Sequence, residues 1–205
     1  GALVDGATDE DVAAAIIEGM RRGRTESLAE GSLRFVGTPG LDGLSDLSTP
    51  RPLGAEQSNV SIAFEDKVIL KIYRRLRAGE QPDVEVARAL TEVAGYDHTP
   101  ALLGTLELAP AEGEPTTLAA AFAFVPNQGD AWGVVTGALD RRLEELAYTT
   151  TSAEEDPRTP SQGAYEFPLS IGALAGRRTA EMHLALARAG EGAPAFRTKP
   201  LTADD

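Results

Sequence analysis

The chain has 205 residues, 42% of them hydrophobic and 25% charged, with a net charge of −13. That is enough chain for one large domain or two small ones around a real core. The acidity argues against general nucleic-acid binding, which draws its affinity from a basic face, and against docking on anionic membranes.

There are no cysteines and only two histidines, His98 and His183. Disulfides and thiolate metal sites are excluded, and a reducing cytoplasm is the expected setting. The longest wholly apolar run, Leu118 to Val125, is far too short to span a bilayer. The N-terminus, "GALVDGATDED", has no basic segment ahead of an apolar one, so no signal peptide is visible. The chain opens at Gly1 rather than Met, as a processed product or a fragment would.

Thr8 to Arg22 reads as a helix with a T-x-x-D start at Thr8 and Asp11. Its apolar face is Val12, Ala15, Ile16 and Met20, and Gly23 is its stop. A short strand follows at 32–36. Then "GTPGLDGLSDLSTPRP", with three Pro and three Gly in sixteen residues, has the composition of a loop. Val60, Ile62 and Phe64 alternate with Ser61 and Ala63, giving a strand over 58–64. "FEDK" is a tight turn into a second strand, 68–73, the pair forming a hairpin. Pro82 opens a helix through "PDVEVARALTEVAG", with Val84, Ala87, Leu90 and Val93 as its stripe and Gly95 as its end. Strands near 102–108 and 116–125 follow. Asp130 caps a helix running to about Ala147, a polar linker comes next, and a last helix covers roughly 168–188. This order predicts an α+β fold: a five-stranded antiparallel sheet carrying one crossing helix, with helices afterwards.

Lys71 stands inside the most apolar strand of the first half. It shares a strand face with Ile69 and Tyr73, while Leu70 and Ile72 point the other way. Both sets are apolar, so both faces are expected to be covered, and a covered ammonium needs a counter-charge. The next helix offers Asp83, Glu85 and Glu92, of which Glu85 is the expected partner. A strand lysine held by a helix glutamate is the arrangement that orients nucleotide phosphates in protein-kinase-like folds. The turn ahead of it, "LGAEQSNVS", has one glycine and the small polar residues Gln57, Ser58, Asn59 and Ser61, whose backbone N–H groups and hydroxyls suit phosphate oxygens.

The stretches "LGAEQSNVSIAFEDKVILKIYRRL", "PDVEVARALTE", "TPALLGTLEL", "FVPNQGDAW" and "GRRTAEMHLALA" resemble, in order and spacing, the N-terminal half of actinobacterial maltokinases. Those belong to the aminoglycoside-phosphotransferase-like branch of the kinase superfamily. The resemblance covers most of the chain from about Arg51 onward. It implies a protein-kinase-like N-lobe over 51–126, preceded by the end of a cap subdomain over 1–50. Residues 127–205 would then carry the hinge, a linker and the first helices of the second lobe. It also implies ATP-dependent conversion of maltose to maltose 1-phosphate with Mg²⁺, and contact with trehalose synthase. On that reading Lys71 orients the ATP phosphates and Glu85 holds Lys71. Gln57, Ser58, Asn59 and Ser61 face the phosphates, and Phe124 and Val125 form the hinge that meets adenine.

The sequence also departs from the family. The catalytic "HGDLHxxQ" loop and the metal-binding "DFE" are missing, since His98 is followed by Thr-Pro and His183 by Leu-Ala. The catalytic base and the metal ligands therefore have no counterpart here, and the chain is expected to be an N-terminal part that does not catalyse alone. A related kinase for another sugar or amino sugar, such as glucosamine, is the enzymatic alternative. A non-catalytic docking module is the alternative of another class. Lys67, Lys71, Arg74, Arg75 and Arg77 place five of nineteen basic residues within eleven positions. They read either as a solvated strand end or as a positive focus for ATP. Trp132 is read as packing at a helix start, and His183 as a core histidine.

Overall fold

The computed structural model describes residues 5–55, 58–149 and 166–200. Seven strands are found among them: β1 (Thr25–Leu28), β2 (Gly31–Gly37), β3 (Pro50–Ala55), β4 (Asn59–Phe64), β5 (Val68–Tyr73), β6 (Leu102–Pro110) and β7 (Thr116–Ala123). They form one sheet in the order β1-β2-β6-β7-β5-β4-β3, and neighbouring strands pair antiparallel. The α+β expectation holds, with seven strands in place of five. The additions lie at the edges. β1, "TESL", is exposed at every position and carries no alternation to read. β3 holds Pro50 and Pro52, residues an edge strand tolerates because one side of it needs no N–H donors. β2 joins the sheet through β6, with Phe35 opposite Leu106.

One face of the sheet carries the larger core. Val60, Ile62 and Phe64 of β4 meet Val68 and Leu70 of β5, all essentially fully buried. The helix α1 (Glu10–Arg21) closes over this face with Ala13, Ile16, Ile17 and Met20, and Leu41 of the short α2 (Pro39–Asp42) joins them. Each large aliphatic or aromatic side chain so buried contributes about 1.5–3 kcal/mol. The stripe is therefore shifted from the expected one: Val12 is 42% exposed and Ala15 lies outside the core. The cap shifts as well. Asp9 accepts hydrogen bonds from the Asp11 and Val12 N–H groups at 2.9 and 3.2 Å, in place of Thr8. Gly19 faces the Phe35 ring so closely that a Cβ there would lie 2.5 Å from Cδ1.

The opposite face carries the crossing helix. In α3 (Pro82–Arg88), Val84 and Ala87 pack on Leu102, Ala120 and Phe122, with Tyr73 against the same cluster. The helix continues as a π-type turn over Ala89–Val93, closed by the Ala94 N–H donating to Ala89 O at 2.9 Å. Gly95 ends it at φ +64°, as expected. Val93 is 45% exposed and drops out of the stripe.

The chain forms two compact units, one comprising the residues to Val125 with those from Ala185, the other Pro126–Leu184. The second contains α4 (Ala131–Thr149) and most of α5 (Glu166–Ala189). Asp130 caps α4, its Oδ1 accepting from the Gly133 N–H at 2.6 Å. Trp132, in the first turn of α4, is 78% exposed rather than packed at the helix start. His183 is exposed rather than in a core; no buried residue of α5 precedes Ala185 among those described. No helix among the described residues is long and apolar enough to cross a membrane.

Candidate functional site

The β4–β5 hairpin builds the site. Alternation fixes which residues share a face, and the register sets Ser61 opposite Lys71 and Asn59 opposite Tyr73. Asn59, Ser61, Lys71 and Tyr73 thus stand together on the face that α3 crosses. Ser58 follows at the exposed end of the ladder, where its carbonyl accepts from the Arg74 N–H at 2.9 Å. Gln57, the remaining member of the expected phosphate-facing group, lies outside the described residues.

Lys71 has a counter-charge, and it is Asp83. Lys71 Nζ lies 3.3 Å from Asp83 Oδ2, while the ammonium also stands 5.2 Å from the centre of the Phe122 ring. The expected partner, Glu85, makes no ion pair among the described residues. Helix geometry gives the reason. Successive residues turn by about 100°, and Val84 and Ala87 claim the direction into the sheet. Asp83 and Glu85 then fall on opposite flanks of Val84, and only the Asp83 flank looks toward Lys71. The lysine is also more open than its apolar neighbours implied: its side chain is 34% exposed, because α3 covers only part of this face.

The second oxygen of Asp83 is taken too. The Tyr73 hydroxyl donates to Asp83 Oδ1 at 2.7 Å. Burial first, then the hydrogen bond to Asp83 and its negative charge, push the Tyr73 hydroxyl well above the ordinary tyrosine range. Tyr73 therefore remains a donor across physiological pH.

Beside the pair opens a groove of about 560 Å³, lined among others by Ser58, Asn59, Tyr73, Arg75, Arg77 and Gln81. Its carboxylates are committed. Glu80 pairs with Arg88 at 2.9 Å, and Asp83 holds Lys71 and Tyr73. Arg75 and Arg77 have no carboxylate partner among the described residues, so the groove is locally positive within a chain of net charge −13. Among the described residues Asn59 Oδ1, buried beside it, has no hydrogen-bond partner, an expensive state for a polar atom. The rest of the basic cluster is structural: Lys67 donates to Ser45 O at 2.8 Å, and Arg74 pairs with Asp5 at 2.5 Å.

Phe124 and Val125 lie beyond the other end of β5. The Phe124 N–H donates to Lys67 O at 2.8 Å. That places Phe124 about 13 Å along the strand from Lys71 and takes its N–H out of any contact with a base. Sequence reasoning gave no site role to Tyr73 or Gln81, whereas Arg75 and Arg77 of the basic cluster do line the groove. The signal for Tyr73 was its place two residues from Lys71 on the same strand face. Among the described residues no three His, Cys, Asp or Glu side chains converge as a metal site would require.

No protein-family model matches the sequence. Solved structures do. A glucosamine kinase in complex with glucosamine, ADP and inorganic phosphate matches with a TM-score of 0.55 at 24% identity, over 86% of this chain and 35% of that one. Glucosamine kinase in crystal form B matches at 0.58 and 22% identity, over 96% of this chain and 39% of that one. Crystal form A matches at 0.54 and 22%, over 87% and 35%. This likeness establishes a kinase-like fold. The chain spans little more than a third of the length of the structures it matches.

Proposed function

We propose that this chain is the nucleotide-binding part of an ATP-dependent kinase acting on a sugar or amino sugar. The observation that carries the reading is the Lys71–Asp83 pair, a strand lysine held by a carboxylate of the crossing helix, on a sheet that matches kinase structures. A half-open ammonium with a fixed counter-ion can turn toward an anion without being left unpaired in the interior. Residues 51–126 would form the nucleotide lobe, with β1 and β2 from the first fifty residues extending its sheet, and 127–205 the hinge side and the helices after it.

In this reading Lys71 orients the phosphates, and Ser58, Asn59, Ser61 and Gln57 line the phosphate side. Phe124 and Val125 mark the adenine end, through groups other than the Phe124 N–H. Glu85 then serves the helix flank rather than the lysine. ATP, when bound, supplies the phosphoryl group that is transferred, and Mg²⁺ is the ion that neutralises its charge in such reactions. The described residues do not fit a metal site of their own.

For the acceptor, the sequence resemblance supports maltose, with trehalose synthase as a neighbour and a cytoplasmic setting. The likeness to a kinase bound to glucosamine favours an amino sugar as the second reading. The deciding experiment is calorimetric titration of the chain with Mg-ATP beside Lys71→Ala, with folding checked by circular dichroism. Binding that vanishes in the folded variant is expected; binding indifferent to Lys71 would sink the proposal. Product analysis with maltose and glucosamine, on the protein carrying this chain, separates the acceptors.

A further inference from the structure

We infer that Tyr73 is a positioning residue for the phosphate lysine: its hydroxyl fixes Asp83, and Asp83 in turn fixes Lys71. The inference rests on the nucleotide reading and adds to it a residue that acts on the lysine through Asp83.

The two contacts on Asp83 are unequal. Its bond to Lys71, at 3.3 Å, is long for a charge-assisted contact, which is about 2.7–2.9 Å when strong. Its bond from Tyr73, at 2.7 Å, is short. The Asp83 side chain is 37% exposed, so the lysine contact alone would leave the carboxylate free to exchange partners with water. Tyr73 removes that freedom. Its ring packs with Val84, Ala87, Leu102, Ala120 and Phe122, a cluster contributed by α3 and by strands β6 and β7. The hydroxyl is thereby held at one point relative to both sheet and helix. Tyr73 and Lys71 also leave the same strand face two residues apart, so each reaches a different oxygen of one carboxylate without competing.

The alternative is that Tyr73 is simply a core residue whose hydroxyl happens to be satisfied. The two differ in how a mutation travels. A residue acting through Asp83 loses its influence once Asp83 is gone, whereas a packing residue does not. It should also affect ligands with phosphates and spare those without.

The experiment is titration of the chain with Mg-ADP and, separately, with adenosine. Wild type is compared with Lys71→Ala, Tyr73→Phe, Asp83→Ala and the Tyr73→Phe/Asp83→Ala double variant, each checked for folding. Tyr73→Phe keeps the ring and the packing. Losing its hydrogen bond should weaken Mg-ADP binding about 3- to 10-fold, leave adenosine unchanged, and add nothing in the Asp83→Ala background. Mg-ADP binding that depends on Lys71 but is untouched by Tyr73→Phe, or is lowered equally in both backgrounds, overturns the positioning role and leaves the nucleotide reading standing. Wild type that binds no Mg-ADP, or binds it regardless of Lys71, overturns the nucleotide reading and this inference with it.

Discussion

Asp83, not Glu85, should be the acidic residue whose charge the fold feels. At 3.3 Å and an effective dielectric constant of about 20, Lys71 and Asp83 attract by about 5 kcal/mol before any cost is counted. Their side chains are 34% and 37% exposed. Screening, desolvation and the freezing of a long lysine side chain therefore leave a net value of about 0.2–1 kcal/mol, as for other water-accessible pairs. Asp83→Asn removes the charge and keeps an oxygen for the Tyr73 hydroxyl, although a bond to a charged acceptor is the stronger by about 1 kcal/mol. Together these give an expected loss of about 1–2 kcal/mol. Glu85→Gln removes a carboxylate with no ion-pair partner among the described residues, and should fall within about 0.5 kcal/mol of wild type. Urea unfolding followed by circular dichroism measures both, provided the m-values stay equal. A larger loss for Glu85→Gln than for Asp83→Asn would refute the assignment and return the lysine to Glu85.

Three further outcomes follow from single contacts. Tyr73 titrates above its unfolded value, so the unfolded chain gives up that proton first; stability should fall as pH rises beyond about 10, by up to about 1.4 kcal/mol per pH unit, and Tyr73→Phe should remove that component from the urea midpoint profile. Gly19→Ala would drive a methyl into the Phe35 ring, and overpacking of about 1–3 kcal/mol should outweigh a helix-propensity gain of about 1 kcal/mol, lowering the melting temperature. Glu65 and Asp66 both hold positive φ, 49° and 48°, in the β4–β5 turn, so Asp66→Gly should stabilise by about 0.5–1 kcal/mol despite losing the exposed 3.0 Å pair with Arg51; an unchanged or lower melting temperature would count against the strain.

Elements with a strong period were legible in the sequence. The β4–β5 hairpin announces itself through Val60, Ile62 and Phe64 against Ser61 and Ala63, and the structure places those three at 1%, 0% and 0% exposure. The crossing helix follows from Pro82, the Val84–Ala87–Leu90 stripe and Gly95. What escaped lacks a period. β1 is exposed throughout and offers no alternation to read, and β3, punctuated by proline and glycine, begins inside the segment with loop composition. Their strand character comes from the neighbours that pair with them, not from their own residues. In α1 Ile16 and Met20 of the expected face reach the core, while Val12 and Ala15 give way to Ala13 and Ile17, because an unbroken apolar run over 12–17 offers two adjacent faces and the sheet selects between them.

The site divides along the same line. That Lys71 would need a carboxylate from the next helix follows from chain chemistry alone. Which carboxylate depends on the rotation of α3, and that rotation is set by where Val84 and Ala87 find their pocket between Leu102 and Phe122. The apolar stripe tells which side of α3 meets the sheet but not which flank of it comes to rest beside Lys71, so Asp83 and Glu85, on either side of Val84, stay equivalent until packing breaks the tie. Tyr73 enters at that same step. It is apolar enough to help seat the helix, and its hydroxyl then meets whichever acid the seating brings near, which is Asp83 at 2.7 Å. The packing that orients α3 and the hydrogen bond that orients the lysine's counter-ion therefore pass through one side chain. A change at Val84 or Ala87 should then disturb Lys71 at a distance, without touching it.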